Sequence, residues 1–286
     1  MESQTINAAE FRDAQQQQWD KASTGWKKHS DFIDSSARQI SERLVELAGV
    51  KPGSRVLDVA AGYGEPTLTA ARVAGPEGKV VSSDISEGML AYGRERAAAE
   101  GLDNIDFVQS AAVALDFPEG SFDAAVSRWG IIFDPDGEGA AAKVRSLLEP
   151  GSRMAIASWG PPDRVPFLAV AVKTVVDRLG VAPPPPGTPG PMSRPTPETI
   201  GGLLEGGGFS DVEVEEAEVT FEMASAEEYT TFVREIAPPV TAMMAGHPEN
   251  AQAETWEAIT AAAAAYAGAD GKVAMTNLVL LASGSA

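Results

Sequence analysis

The 286-residue chain has a formal net charge of −19, from 22 Lys and Arg residues against 41 Asp and Glu residues. Such an acidic protein repels phosphate backbones and anionic lipid, which disfavours nucleic acid and membrane surfaces as partners. Its length fits one large α/β domain or such a domain with a helical annex, and its hydrophobic fraction of 44% allows a sizeable packed core. The absence of cysteine excludes disulfides and thiolate nucleophiles.

The first fifty residues predict a helical segment, with a break over the turn-forming residues 21–26. The residues after Met1 lack the basic segment and apolar run of a signal peptide, and no apolar stretch is long enough to cross a bilayer. We therefore expect a cytoplasmic protein without a membrane span. Two isolated histidines without cysteine predict no metal site.

From residue 55 to residue 158, short apolar runs alternate with helical patterns. The predicted strands are 55–59, 79–84, 104–109, 122–127 and 153–158, and the predicted helices are 66–73, 87–100 and 138–148. This alternation predicts a parallel, doubly wound sheet.

The second half of the chain is less regular. We predict helices over 167–179, 198–204, 226–235 and 252–267, strands over 211–219 and 273–281, and a loop over the Pro-rich segment 182–197. The two late strands can pair as an antiparallel hairpin at the sheet edge.

A glycine-containing loop follows the first predicted strand. Gly62 and Gly64 remove the side chains that would block a ligand from the backbone, and Asp84 ends the next strand 22 positions after Gly62 (84 − 62). A carboxylate at that place can accept both ribose hydroxyls of an adenosine. A nicotinamide-binding loop would have a third glycine where this chain has Thr67. The acid Asp58 inside the first strand also distinguishes this loop from a nicotinamide-binding one.

Four ordered motifs, at 56–64, 81–90, 115–123 and 147–152, resemble the class I S-adenosylmethionine-dependent methyltransferases. The similarity is to the branch related to the ubiquinone/menaquinone C-methyltransferases, and it covers about residues 51–161. It implies a Rossmann-like α/β fold: a mostly parallel sheet with an antiparallel edge strand, an N-terminal helical cover and helical insertions near the C-terminus.

The resemblance also implies a domain organisation. The segment 1–47 is expected to be the helical cover, and the methyltransferase domain follows over 48–286. Within that domain we expect a cofactor core at 51–160 and substrate-roof insertions at about 161–208 and 224–270.

The resemblance implies that S-adenosylmethionine is the cofactor and S-adenosylhomocysteine the product. The implied cofactor-binding residues are Asp58, Ala60, Ala61, Gly62, Gly64, Asp84, Ile85, Met89, Ala111, Ala112, Ser127 and Arg128. Gly62 and Gly64 would lie under the methionine part, with Ala60 and Ala61 beside them. Asp84 would hold the ribose, and Ile85 and Met89 would pack on the adenine. Ser127 and Arg128 would face the sulfonium and the substrate. Arg128 can instead neutralise the cofactor carboxylate, and Asp58 either orients the loop and a water or caps backbone amides.

The chain departs from the family pattern at two positions. Ala60 stands where glycine is frequent, which adds one methyl group. Ala111 stands near the position of an acid that accepts a hydrogen bond from the adenine amino group, and losing such a bond costs about 1.5–3 kcal/mol of binding. Backbone groups of Ala112, or the side chains of Gln109 and Ser110, can compensate.

Candidate residues for catalysis and substrate binding are fewer. His29 in the N-terminal cover is the candidate general base, with a surface histidine as the alternative. Trp26, Trp129, Phe133 and Trp159 are candidates for an apolar substrate pocket, with ordinary core packing as the alternative.

We therefore expect methyl transfer to the oxygen or carbon of a small, aromatic or apolar metabolite, by a monomer or homodimer. Two alternatives stay open: a protein of this fold that uses the bound cofactor as a scaffold for a reaction such as cyclisation, and a dinucleotide-dependent oxidoreductase. Fold class does not decide among them.

Overall fold

The computed structural model describes residues 7–183, 185 and 187–286. The strands are β1 Arg55–Val59, β2 Lys79–Asp84, β3 Ile105–Gln109, β4 Phe122–Arg128, β5 Leu148–Trp159, β6 Ser210–Met223 and β7 Val273–Ser285. The α-helices of the described residues are α1 Ala8–Leu47, α2 Thr67–Ala74, α3 Glu87–Glu100, α4 Gly137–Leu147, α5 Pro166–Leu179, α6 Pro197–Gly206, α7 Ala226–Ile236, α8 Pro238–Met244 and α9 Glu249–Ala264. None of these helices combines the length and apolar character needed to cross a bilayer.

The strands form one seven-stranded sheet in the order β3-β2-β1-β4-β5-β7-β6. Strands β1 to β5 pair in parallel, whereas β7 is antiparallel to both β5 and β6. The predicted Rossmann-like fold and the late antiparallel hairpin are both confirmed. The strand order reverses between β1 and β4, and ligands of open α/β sheets bind beyond the carboxyl ends of the strands at such a point.

Alternate residues of the strands face opposite sides of the sheet, as the period of a strand requires. Val56, Val80 and Val126 belong to a core shared with α1, α2, α5, α7 and α9, whereas Leu57 and Ile156 pack with α4 and α6 on the other face. Both faces are therefore covered, which explains why these strands are apolar along most of their length.

Helix α1 is continuous over 40 residues, so the predicted break at 21–26 is wrong. Ser23 donates a hydrogen bond to the carbonyl oxygen of Asp20 within the helix. Gly25 lies against α7, where a Cβ would overlap the carbonyl oxygen of Glu235. The glycine therefore allows two helices to approach closely and does not end a helix.

Other boundaries also differ from the predictions. Helix α8 is not among the predicted elements, and α2 begins after Pro66. The predicted loop 182–197 is described in part: Pro184 and Pro186 lie outside the described residues, as does the segment 1–6 of the predicted cover.

Candidate cofactor and active site

The loop between β1 and α2 lies at the point where the strand order reverses. Ala60, Gly62 and Gly64 all have positive φ values, of 54°, 57° and 117°. A Cβ added at Gly62 would meet no heavy atom within 4 Å, so the backbone there faces open space. A ligand can thus approach the backbone, as the sequence predicts.

Asp84 connects this loop to the end of β2. Its Oδ2 accepts a hydrogen bond from the Gly62 backbone N–H at 2.8 Å, and its Oδ1 accepts one from the Ser86 N–H at 2.8 Å. Burial raises the pKa of Asp84 to about 6, and the nearby carboxylate of Asp20 acts in the same direction. A carboxylate oxygen can accept more than one hydrogen bond, so both oxygens retain capacity for ribose hydroxyls.

Asp58 is fully buried at the sheet centre. Its Oδ2 accepts a 2.6 Å hydrogen bond from the Thr67 hydroxyl at the start of α2. Its Oδ1 is buried and has no hydrogen-bond partner among the described residues. Burial raises the pKa of Asp58 to about 7, despite the hydrogen bond from Thr67 and the positive charge of Arg128. A buried polar atom of this kind needs a partner, and a bound ligand or water can supply one.

The resemblance predicts Ser127 and Arg128 just beyond the fourth strand. In the structure they are the last two residues of β4. The Ser127 hydroxyl donates to the Val59 carbonyl oxygen at 2.7 Å and accepts from the Ile131 N–H at 2.9 Å. Ser127 therefore connects β1 to the turn after β4, and its side chain is occupied by these two bonds.

Arg128 is buried in a polar cluster that sequence reasoning missed. Its guanidinium donates to the Ser41 hydroxyl at 2.9 Å, to the Tyr63 hydroxyl at 3.2 Å and to Asp34 at 3.3 Å. Asp34 also accepts from Tyr63 and is paired with Arg96. Because Tyr63 lies between Gly62 and Gly64, the cluster connects the glycine loop to α1 and α3. Two members have a sequence signal: Arg128 is a predicted cofactor-site residue, and Tyr63 lies between the two glycines.

A cavity of about 350 Å³ lies beside the ends of β2 and β3. It is lined by Ile85, Gln109, Ser110, Ala111, Val113 and Ala114 on one side and by Ala9, Arg12, Asp13 and Gln16 of α1 on the other. Ile85, which is predicted to pack on the adenine, and Ala111, which stands where an acid is frequent, therefore line the same cavity. Met89 is instead buried in the core, and Ala112 begins a short 3₁₀ turn without lining this cavity.

The first turns of α1 are fixed against the carboxyl edge of the sheet. Arg12 makes two hydrogen bonds to Asp134, at 2.7 and 3.0 Å, and Gln15 donates to the Phe133 carbonyl oxygen at 3.1 Å. Further along the helix, Asp20 accepts from the Ser86 hydroxyl at 2.6 Å. The helix therefore forms one wall of the candidate site.

The four predicted pocket aromatics occur in two groups. Trp129 and Trp159 stack with ring centroids 4.2 Å apart and an interplanar angle of 7°. Trp26 packs on Tyr63 at 5.6 Å and on Trp19 at 6.0 Å, and Phe133 packs on Trp19 at 5.3 Å. The indole N–H groups of Trp26 and Trp129 are buried without a hydrogen-bond partner in the described part of the chain.

His29 lies against α7. Its Nε2 is 2.5 Å from Glu235 Oε2, and its ring contacts the edge of Phe232 with centroids 4.9 Å apart. These contacts orient the imidazole, and its role as a base stays a prediction. Over residues 7–183, 185 and 187–286, no group of three or more His, Cys, Asp or Glu side chains is placed to hold a metal ion.

The observations fit an adenosine-containing cofactor: an open backbone at Gly62, a carboxylate at Asp84, and a cavity that begins at Ile85. The sequence profile of the ubiE/COQ5 methyltransferase family matches residues 20–173, more than half of the chain. The chain belongs to this family. The predicted branch is therefore confirmed.

One curated relative is the ubiquinone/menaquinone biosynthesis C-methyltransferase UbiE of Teredinibacter turnerae, with 32% identity over 161 residues. The match covers 56% of this chain and 65% of that relative, so it spans less than two thirds of the relative's length.

Two solved structures show the same fold. The YcgJ protein of Bacillus subtilis has a TM-score of 0.54 at 17% identity, covering 86% of this chain and 98% of that one. The [4+2]-cyclase SpnF has a TM-score of 0.54 at 16% identity, covering 93% and 96%. At such identities the likeness concerns the fold alone.

Proposed function

We propose that this chain transfers a methyl group from S-adenosylmethionine to a small-molecule metabolite and releases S-adenosylhomocysteine. The observation that carries the proposal is the geometry of Asp84, which accepts the Gly62 N–H beside an open stretch of backbone where the strand order reverses. Membership of the ubiE/COQ5 methyltransferase family supports the same reaction.

The proposed roles follow the positions of the side chains. Asp84 accepts the ribose hydroxyls, the backbone of 60–64 lies under the methionine part, and Ile85 and Ala111 flank the adenine. Asp58 uses its Oδ1, which has no hydrogen-bond partner among the described residues, to accept a hydrogen bond from the cofactor or from a water beside it. Arg128 holds the loop through Tyr63 and contributes positive charge near the cofactor carboxylate.

Bound S-adenosylmethionine supplies a methyl group on a positively charged sulfur. The protein's task is then to align the acceptor with that methyl group and to exclude water. The stacked pair Trp129 and Trp159, at the carboxyl ends of β4 and β5, is the proposed apolar wall for an aromatic or apolar acceptor. His29, oriented by Glu235, is the proposed base for an acceptor that must lose a proton.

The segments after β5 support the proposed substrate roof. In the Pro-rich segment, Ser193 donates to the Ile132 carbonyl oxygen at 2.8 Å, and the Arg194 carbonyl oxygen accepts from Ser158 at 2.8 Å. Both contacts fix this segment over the ends of β4 and β5. These contacts support 161–208 as part of the substrate roof. For the other segments the proposal follows the sequence: 224–270 completes the roof, 51–160 is the cofactor core and 1–47 is the cover.

The net charge of −19 supports a small-molecule acceptor rather than a nucleic-acid partner. We propose the cytoplasm as its location. For the oligomeric state we propose a monomer or a homodimer.

The test is transfer of labelled methyl from S-adenosylmethionine to a fractionated metabolite extract and to a panel of phenols and quinols. We expect label in a small molecule with the wild-type protein and none with Asp84→Ala. If the wild-type protein binds the cofactor but labels nothing, and instead converts a substrate equally well with S-adenosylhomocysteine present, the cofactor is a scaffold and the methyl-transfer proposal fails.

A further inference from the structure

One wall of the cavity beside Ile85 and Ala111 is the first part of α1. Ala9, Arg12, Asp13 and Gln16 line it, at the i, i+3, i+4 and i+7 spacing of a single helix face. The opposite wall is the end of β3 and the turn after it. The cavity thus lies between the helix and the segment in which the sequence lacks an acid.

Most polar side chains around this cavity already have partners. Arg12 is held by two hydrogen bonds to Asp134, Gln109 donates to the Ile85 carbonyl oxygen at 3.0 Å, and the Ser110 hydroxyl donates to the Ala111 carbonyl oxygen at 3.0 Å. Two polar side chains of the lining, Asp13 and Gln16, make no hydrogen bond or ion pair with the described residues. Asp13 is exposed and is the one acidic group of the lining, so its carboxylate is a stronger acceptor than the neutral Gln16 amide.

A carboxylate can only accept hydrogen bonds, whereas the exocyclic amino group of adenine can donate them. Asp84 fixes the place of the ribose, and Ile85, the next residue, lines the cavity. A nucleobase that extends from this ribose into the cavity therefore lies between Ala111 and α1. Its polar edge must then find an acceptor, and Ala111 has none in its side chain.

We propose that Asp13 accepts the hydrogen bond of the adenine amino group, in place of the acid that is absent at Ala111. This inference rests on the proposed function and deepens it, because it makes α1 part of the cofactor site and the source of its preference for adenine. The pair of Arg12 with Asp134 acts as a positioning contact, since it fixes the helix face that carries Asp13.

The test measures binding by calorimetry with two ligands: S-adenosylhomocysteine and its 6-oxo counterpart, S-inosylhomocysteine. The 6-oxo group is an acceptor, so it would face the Asp13 carboxylate without a hydrogen bond. We expect the wild-type protein to prefer the amino ligand by about tenfold or more, as is usual when a site built for a hydrogen bond meets an analogue that cannot make it.

Two substitutions at Asp13 separate the contributions. Asp13→Ala should weaken the binding of S-adenosylhomocysteine about tenfold and leave the binding of the 6-oxo ligand unchanged or stronger. The preference for the amino ligand is then lost. Asp13→Asn can donate to the 6-oxo group through its amide and should also reduce the preference. Glu10→Ala is the matched control, because it removes an equally exposed acid one turn earlier that does not line the cavity.

The outcomes distinguish this inference from the proposed function. If the wild-type protein binds S-adenosylhomocysteine and Asp13→Ala binds both ligands as the wild type does, Asp13 is not the acceptor and the inference alone is overturned. If Glu10→Ala weakens binding as much as Asp13→Ala, the effect is one of general charge, which also overturns it. Failure of the folded wild-type protein to bind either ligand would overturn the proposed function and the inference together.

Discussion

Asp58 and Asp84 are buried carboxylates on neighbouring strands, but their environments differ. Asp84 accepts two backbone N–H groups, whereas Asp58 accepts one hydroxyl and has an oxygen without a partner among the described residues. Burial raises both pKa values, to about 6 for Asp84 and about 7 for Asp58. Burying an ionised group without full hydrogen bonding opposes folding, so an ionised Asp58 destabilises the fold.

The first prediction concerns the pH dependence of stability at Asp58. Its folded-state pKa of about 7 lies above the ordinary value of 3.8, so between these values the folded protein holds more protons than the unfolded chain. Stability therefore falls as pH rises through this window, and the loss is complete above pH 7. We expect Asp58→Asn to raise the free energy of unfolding at pH 8 by roughly 1–3 kcal/mol and to change it little at pH 4.

Asp123→Asn is the control, because it should change the free energy of unfolding at pH 8 in the opposite direction. Burial alone would raise the pKa of Asp123, but the hydrogen bonds from Arg55 lower it below its ordinary value. This carboxylate therefore stabilises the fold at pH 8, and its loss should destabilise by a few tenths of a kcal/mol because the pair is half exposed. Denaturant unfolding of both variants at pH 4 and pH 8 checks these two expectations. Equal stability of Asp58→Asn and the wild-type protein at pH 8 would contradict the account of Asp58.

The second prediction concerns Ala60, which adopts a φ of 54° in the left-handed region. An L side chain there costs about 1 kcal/mol, which glycine avoids, while glycine loses more entropy on folding. We expect Ala60→Gly to leave the free energy of unfolding within about 1 kcal/mol of wild type and not below it.

Ala61 is the matched control for this substitution. It is buried, and its φ is not positive, so Ala61→Gly brings the entropy cost and a small cavity without relief of strain. We expect it to destabilise by about 1 kcal/mol. A larger loss for Ala60→Gly than for Ala61→Gly, measured by thermal unfolding, would refute the strain at Ala60.

At the scale of elements, α1 is the feature with the most consequences for the site. Its C-terminal half packs on the sheet through Ile40 and Leu44, and its N-terminal half extends over the ends of the strands. The N-terminal half has fewer buried apolar residues, so specific polar contacts hold it in place. The pair of Arg12 and Asp134 is the outermost of these.

The third prediction is a double-mutant cycle on Arg12→Ala and Asp134→Ala. The two side chains are 18% and 10% exposed and make two parallel hydrogen bonds, so we expect a coupling energy of about 1–2 kcal/mol. The pair of Lys27 and Glu95, at 50% and 60% exposure, also joins α1 to α3 and should give at most about 0.5 kcal/mol. Equal coupling energies would mean that the first turns of α1 are not held by Arg12.

Element boundaries could be predicted where a buried apolar run is bounded by turn residues, as at β1 and β2. The prediction of a break in α1 failed because Ser23 and Gly25 are turn residues by propensity, whereas here α7 approaches Gly25. Strand β5 begins at Leu148 rather than at residue 153, because Leu148 pairs with Phe122 before a register shift. Such tertiary contacts have no local signal in the sequence.

At the scale of the whole molecule, the motif order predicted the sheet, and the sheet places the residues that follow its strands at one edge. The positions of Gly62, Asp84 and Ile85 at this edge could therefore be predicted from the sequence, since Asp84 ends β2, Ile85 follows it and Gly62 lies in the loop after β1. The contacts of Asp34 with Arg96 and Arg128 could not be predicted, because these residues come from three segments that only the packing of α1 brings together.

The proposed adenine side of the site also depends on tertiary packing. The sequence shows that Ala111 lacks a carboxylate, but it does not show what faces that residue. Helix α1 begins about a hundred residues earlier in the chain and supplies the opposite wall of the cavity. The fold likeness to SpnF does not carry over a reaction, because the sheet alone does not determine the reaction.

The most direct test of the account is calorimetric titration of the wild-type protein, Asp84→Ala and the exposed-site control Asp31→Ala with S-adenosylmethionine and S-adenosylhomocysteine. We predict dissociation constants on the order of micromolar for wild type and control, and a loss of at least about tenfold for Asp84→Ala. A folded wild-type protein that binds neither ligand, or an Asp84→Ala variant that binds as tightly as the wild type, would contradict the assignment of this site.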